Sequence, residues 1–114
     1  MSSKADVESF LTDLKQKIKV FDLIIVERDK NRQTLTELEM KQSDCKKIID
    51  LLSAENYYRG PKKDSEFTGE YWEFGVDVNG RDVYIKVNYG KPNKQVICIS
   101  FHFAEHEIKY KYKQ

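Results

Sequence analysis

The chain has 114 residues, enough for one domain with its own core. Its 20 lysines and arginines stand against 19 acids, a net charge of +1, so the whole-molecule field selects neither nucleic acid nor an oppositely charged partner. No apolar run approaches the roughly 20 residues of a membrane span. The start, MSSKADVESF, lacks a signal-peptide pattern, and two cysteines, Cys45 and Cys98, make no disulfide framework. The expectation is a cytoplasmic protein with reduced thiols and no membrane partner.

In chain order, Ser2-Ser3 followed by acids reads as a capped helix start. Val7, Phe10, Leu11, Leu14 and Ile18 recur at helical spacing and predict one buried stripe, with the helix ending near Lys19. Phe21–Val26 is apolar and β-branched, which favours a short edge strand. Glu27–Arg32 reads as a charged turn. Thr34–Met40 suits a short helix with Leu35 and Leu38 inward. Ser43-Asp44 caps another, burying Cys45, Ile48, Ile49, Leu51 and Leu52. Gly60-Pro61 reads as a stop, and Lys62–Thr68 as a polar loop.

From Gly69 to His106 the pattern is that of three antiparallel strands. Asn79-Gly80 between two alternating runs predicts a two-residue hairpin, since both turn positions need positive φ. That turn pairs Val76 with Val83, Phe74 with Ile85 and Trp72 with Val87 on one side. On the other side it sets Glu73 opposite Lys86, Gly75 opposite Tyr84 and Asp77 opposite Asp82. For the second hairpin, Val87/Ile97, Ile85/Ile99 and Val83/Phe101 extend the apolar wall. This register puts Cys98 beside Lys86, Ser100 beside Tyr84 and His102 beside Asp82. After His106 the tail alternates Ile108, Tyr110 and Tyr112 with lysines, as a fourth strand or a disordered basic end.

Helices followed by a meander of at least three strands make an α+β domain over residues 1–114. The N-terminal helices (about 4–60) pack on one face of the C-terminal antiparallel sheet (about 68–106), ahead of a basic tail, 107–114. The opposite, polar face is then open and presents Glu73, Tyr84, Lys86 and His102. From Arg81 onward seven basic and three acidic residues give +4, leaving −3 for the first 80. Such an end suits a phosphate-bearing ligand, although a solvated surface explains the same count.

These residue types match metal-independent RNA cleavage. It needs a base for the 2′-hydroxyl, an acid for the leaving 5′-oxygen and cations for the phosphate; His, Tyr and Lys or Arg supply them. Any wet antiparallel face carries the same types. His102-x-x-x-His106 with Glu105 has too few further ligands for zinc, since only Cys98 is near in sequence, so no metal is expected. A metal-dependent nuclease pattern fails because Tyr84, not an acid, stands two residues before Lys86. In Tyr57-Tyr58-Arg59-Gly60-Pro61, Arg59 is the better phosphate candidate, and the tyrosines can equally pack the sheet rim. No Gly-rich phosphate loop, nucleophile motif or dinucleotide fingerprint is present, and no cofactor is expected.

Tyr57-Tyr58-Arg59-Gly60-Pro61, Trp72, Val83-Tyr84-Ile85-Lys86-Val87 and Cys98-Ile99-Ser100-Phe101-His102-Phe103-Ala104-Glu105-His106, in this order and spacing, carry a likeness. Over about the last 70 residues the chain resembles the MqsR-like branch of the RelE-type toxins of bacterial toxin–antitoxin modules. The resemblance implies a small ribonuclease acting on messenger RNA and neutralised by a cognate antitoxin. It maps the family's working residues onto Arg59, Tyr84 and His102. Glu73 stands where the family has glutamine, and Arg59 and His102 where lysines are usual.

The expected catalytic set is therefore Tyr84 and His102 for proton transfer, Lys86 and Arg59 for phosphate charge, and Glu73 to position Lys86 or accept a proton. Tyr58, Arg81, Ser100 and His106 are candidate substrate contacts. The alternative is a non-catalytic module that binds a protein or RNA on the open sheet face or edge.

Overall fold

In the computed structural model, residues 2–113 are described. The elements run α1 (Lys4–Phe21), β1 (Leu23–Ile25), α2 (Asp29–Leu38), α3 (Gln42–Asp50), a 3₁₀ turn (Ala54–Asn56), β2 (Tyr57–Lys63), β3 (Glu70–Val78), β4 (Arg81–Asn88) and β5 (Val96–Phe103). The sheet has five strands in the order β1-β5-β4-β3-β2, antiparallel except where β1 runs parallel to β5. The α+β class and the helices-then-sheet order are as expected from the sequence.

Helix α1 starts on a capping box. The Ser3 hydroxyl accepts from the Asp6 N–H at 3.1 Å, and the Asp6 carboxylate accepts from the Ser3 N–H at 3.2 Å. Its stripe of Val7, Leu11, Leu14 and Ile18 is buried, joining Cys45 and Ile49 of α3 and Phe74, Val83, Ile85 and Val87 of the sheet in one core. Phe10 stays half-buried and stacks on Trp72, ring centroids 4.1 Å apart. In α3, Asp44 caps from inside the helix, accepting from the Lys41 N–H at 2.8 Å, which moves the start ahead of Ser43. Leu51, expected inward, is 78% exposed because it falls just past the last turn.

Three stretches depart from the sequence pattern. The charged segment Asp29–Arg32 is the first turn of α2, not a loop, because Asn31 has a tertiary task. Beyond the end of β1, its amide donates to the Val26 and Ile99 carbonyls (2.8 and 3.1 Å) and accepts from the Phe101 N–H (2.9 Å). Thr34 accepts from the Phe103 N–H at 3.2 Å, so α2 covers the strand edge that β1 is too short to pair. Second, Gly60-Pro61, a cis peptide, does not end an element; β2 runs through it, with register shifts on both sides of Arg59. The Lys62–Lys63 part of the expected loop is strand.

The third departure is in β5. The first hairpin has the expected register at every pair, with Asn79 and Gly80 at φ 54° and 86°. The second does not. Tyr84 pairs with His102, Lys86 with Ser100, Ile85 with Phe101 and Val83 with Phe103, and a bulge between Lys86 and Val87 brings Cys98 opposite Val87. The bulge leaves buried Ile99 as the extra residue. It turns Val96 and Cys98 to the core beside Leu23 and Ile25 of β1 while Phe101 also stays inward. Cys98 is therefore a core residue rather than a neighbour of Lys86. Ser100 stands beside Lys86 instead of Tyr84, and His102 beside Tyr84 instead of Asp82.

The tail forms no strand among the described residues. It crosses the polar face: Ile108 is buried, Tyr110 donates to Asp82 at 3.3 Å, and Tyr112 donates to the Ser2 carbonyl at 2.5 Å while stacking on Tyr57. Gly75 makes the crossing tight, since a Cβ there would stand 2.5 Å from the Tyr110 hydroxyl and 2.6 Å from Ile108 Cδ1. The face expected to be open is thus partly roofed. No helix among the described residues is long and apolar enough to cross a membrane.

Candidate active site: a pocket between β2, β5 and the tail

Alternation on β3 and β4 turns Glu73 and Tyr84 to the polar face, and the register brings them together. Glu73 is only 1% exposed. A buried carboxylate requires partners, and it has them: the Tyr84 hydroxyl donates to Oε2, Arg59 Nε donates to Oε1 at 2.7 Å, and Lys62 Nζ lies 3.7 Å from Oε1. Burial and the Glu73 hydrogen bond push the Tyr84 phenol well above its ordinary value. The same carboxylate pushes the Arg59 guanidinium up, against the desolvation that lowers it. Tyr84 therefore keeps its proton at neutral pH and Arg59 its charge.

His102 lies against Tyr84, ring centroids 5.4 Å apart and planes at 37°. Its Nδ1 is 3.0 Å from the Phe103 carbonyl oxygen, which can only accept. The hydrogen of a neutral ring then belongs on Nδ1, leaving Nε2 as the basic nitrogen. Arg59, Tyr84 and His102 line one pocket of about 220 Å³ together with Tyr58, His106, Ala104, Glu105 and Ile108. The Arg59 guanidinium sits over the Tyr58 ring at 4.6 Å. The tail thus contributes a wall, Ile108, and the bend after β5 contributes His106.

The other candidates lie apart from this pocket. Lys86 does not bond Glu73; its ammonium stands 4.2 Å above the Tyr71 ring, one row further along the face. Ser100 is buried beside it. Arg81 is at the Asn79-Gly80 end, stacked on Phe103 at 3.5 Å and paired with Glu37 at 3.3 Å. Glu73 sits behind the pocket as the group that orients Arg59 and Tyr84.

Sequence reasoning missed Lys62, hidden by reading Gly60-Pro61 as a stop, and Ile108, hidden because the tail has no regular structure. Within the described residues no group of three or more His, Cys, Asp or Glu side chains gathers as a metal site. A larger hollow, about 620 Å³, lies at the Trp72–Tyr89 end and carries Asp13 and Glu70 against the single cation Lys91, a poor match for phosphate. Comparisons of the chain with protein-family models, with curated proteins and with solved structures found no match.

Proposed function

We propose that the protein is a metal-independent endoribonuclease, the toxin of a toxin–antitoxin pair, which acts on messenger RNA in the cytoplasm and is held inactive by a cognate antitoxin protein. One observation carries the reading: a permanent cation (Arg59), a phenol that keeps its proton (Tyr84) and an imidazole with a basic nitrogen (His102) line the same pocket. The likeness in order and spacing to the MqsR-like toxins supports it, with Tyr84 at the family's tyrosine and Arg59 and His102 at positions where lysines are usual.

In the proposed reaction His102 Nε2 takes the 2′-hydroxyl proton, and the 2′-oxygen attacks the adjacent phosphorus. The bond to the 5′-oxygen breaks and that oxygen takes a proton from Tyr84, giving a 2′,3′-cyclic phosphate and a 5′-hydroxyl. Arg59 offsets the charge that builds on the phosphoryl oxygens. Glu73 holds the donor and the cation in place. Purified protein should cut single-stranded RNA in the presence of chelator. His102→Ala and Tyr84→Phe should each slow cutting by about 10²-fold or more while the protein stays folded. Full activity in both variants would overturn the assignment.

The Tyr84 hydroxyl is already committed to Glu73, and this favours a second reading, an RNA-binding module without chemistry. Such a module retards RNA in a gel, leaves it intact and releases it steeply with salt.

A further inference from the structure

The polar face continues beyond the pocket, and the continuation has the makings of a second anion site. Its cross-strand rows are Gly75–Tyr84–His102, then Arg59–Glu73–Lys86–Ser100, then Lys62–Tyr71 with Asn88. The pocket uses the first row and Arg59. Lys86 and Lys62 remain, on either side of Tyr71.

Neither lysine is used up by its neighbours. Lys86 makes no ion pair among the described residues and rests on the Tyr71 ring. Lys62 stands 3.7 Å from a Glu73 oxygen that Arg59 already holds at 2.7 Å, and its side chain is 41% exposed. Three cations (Arg59, Lys62, Lys86) thus face two acids, both buried and hydrogen-bonded. Glu73 is held by Arg59 and Tyr84, and Asp64 by the Asn88 amide and the N–H groups of Glu66 and Phe67. The surplus is positive and faces solvent. Two residues along a strand span about 7 Å, comparable with one nucleotide step of an extended single strand.

We infer that Lys62 and Lys86, flanking Tyr71, bind the phosphate next to the one in the pocket, so that the protein reads RNA as a strand lying along β2–β4. The inference rests on the RNA reading of the pocket but assigns a separate task, strand positioning, to residues outside it.

The test compares two RNAs, a dinucleoside monophosphate with a single phosphodiester and a longer single-stranded oligomer. Binding and cleavage are measured for the wild type, Lys62→Ala and Lys62→Arg. On the oligomer, Lys62→Ala should bind about fivefold more weakly and raise KM with kcat unchanged. Its log–log salt slope should be shallower by about 0.7, and Lys62→Arg should restore it. On the dinucleotide, Lys62→Ala should match the wild type. No effect on the oligomer, or an equal loss on both RNAs, would overturn the subsite, the latter because Lys62 would be acting through Glu73. A wild type that binds the oligomer through Lys62 without cutting it keeps the subsite and removes the nuclease; one that neither binds nor cuts removes both.

Discussion

The side of the sheet turned toward α1 and α3 is closed by aliphatic and aromatic side chains, with Phe74, Val83, Ile85 and Val87 fully buried. The other side is closed by a charge network and a length of irregular chain. On the first side the free energy comes from area removed from water, so position matters through volume. On the second side a buried carboxylate, Glu73, is tolerated because two donors hold it and a lysine ammonium stands nearby, and Ile108 and Tyr110 lie over Gly75 because that residue has no side chain. The contrast teaches that the functional face depends on partners being present, whereas the structural face depends on space being filled.

The difference can be broken most forcefully from the apolar side. Phe74→Ala should lower unfolding free energy by about 3–5 kcal/mol in a denaturant titration, because it empties a ring-sized space among Phe10, Tyr57 and the sheet. Gly75→Ala, at the neighbouring position but on the opposite face, should cost less, about 1–3 kcal/mol. Its signature is local: the added methyl displaces Tyr110 and Ile108, so amide exchange and proteolysis should rise in residues 107–113 while the core strands stay protected.

Alkaline pH sharpens the comparison further, since each face holds a group whose ionisation burial opposes. Cys45, among the helices, is pushed up to about 12 from an ordinary 9.0 by burial. Tyr84 is pushed up by burial and then by Glu73. Both raised groups are neutral when folded and ionise more easily when unfolded. Their stabilisation is therefore complete below pH 9 and is lost as pH climbs toward the folded values. Cys45→Ala should flatten the first part of that decline in a pH series of thermal melts. The smallest expected effect is that of Tyr84→Phe at neutral pH, about 1 kcal/mol or less, because Arg59 still holds Glu73; this variant should flatten only the part of the decline above pH 10.

Legibility followed sequence distance. The Ser3 cap, the α1 stripe and the whole β3–β4 register could be read directly, and so could the pairing of Glu73 with Lys86 and Gly75 with Tyr84. The second hairpin was readable only in part: the expected parity holds from Ser100 to Phe103 and is reversed at Ile97 and Cys98, beyond the bulge. Its longer connection allows several registers, and the bulge at Ile99 answers to β1 and α2 rather than to β4. Of the candidate site, Arg59, Tyr84, His102, Tyr58 and His106 do meet in one pocket, whereas Lys86, Ser100 and Arg81 lie elsewhere on the sheet.

By itself, then, the order of residues determined the helices-then-sheet architecture and which side chains of β3 and β4 alternate to the polar face, since periodicity and an Asn-Gly turn act over a few neighbours. Only the tertiary structure decided that β2 passes through Gly60-Pro61 to deliver Arg59 and Lys62, that Asn31 substitutes for a missing strand, and that the tail folds back over Gly75. These contacts join groups 14 to 110 positions apart, where the deciding quantity is whether a distant partner satisfies a buried polar atom or fills a gap, and no local pattern carries that information.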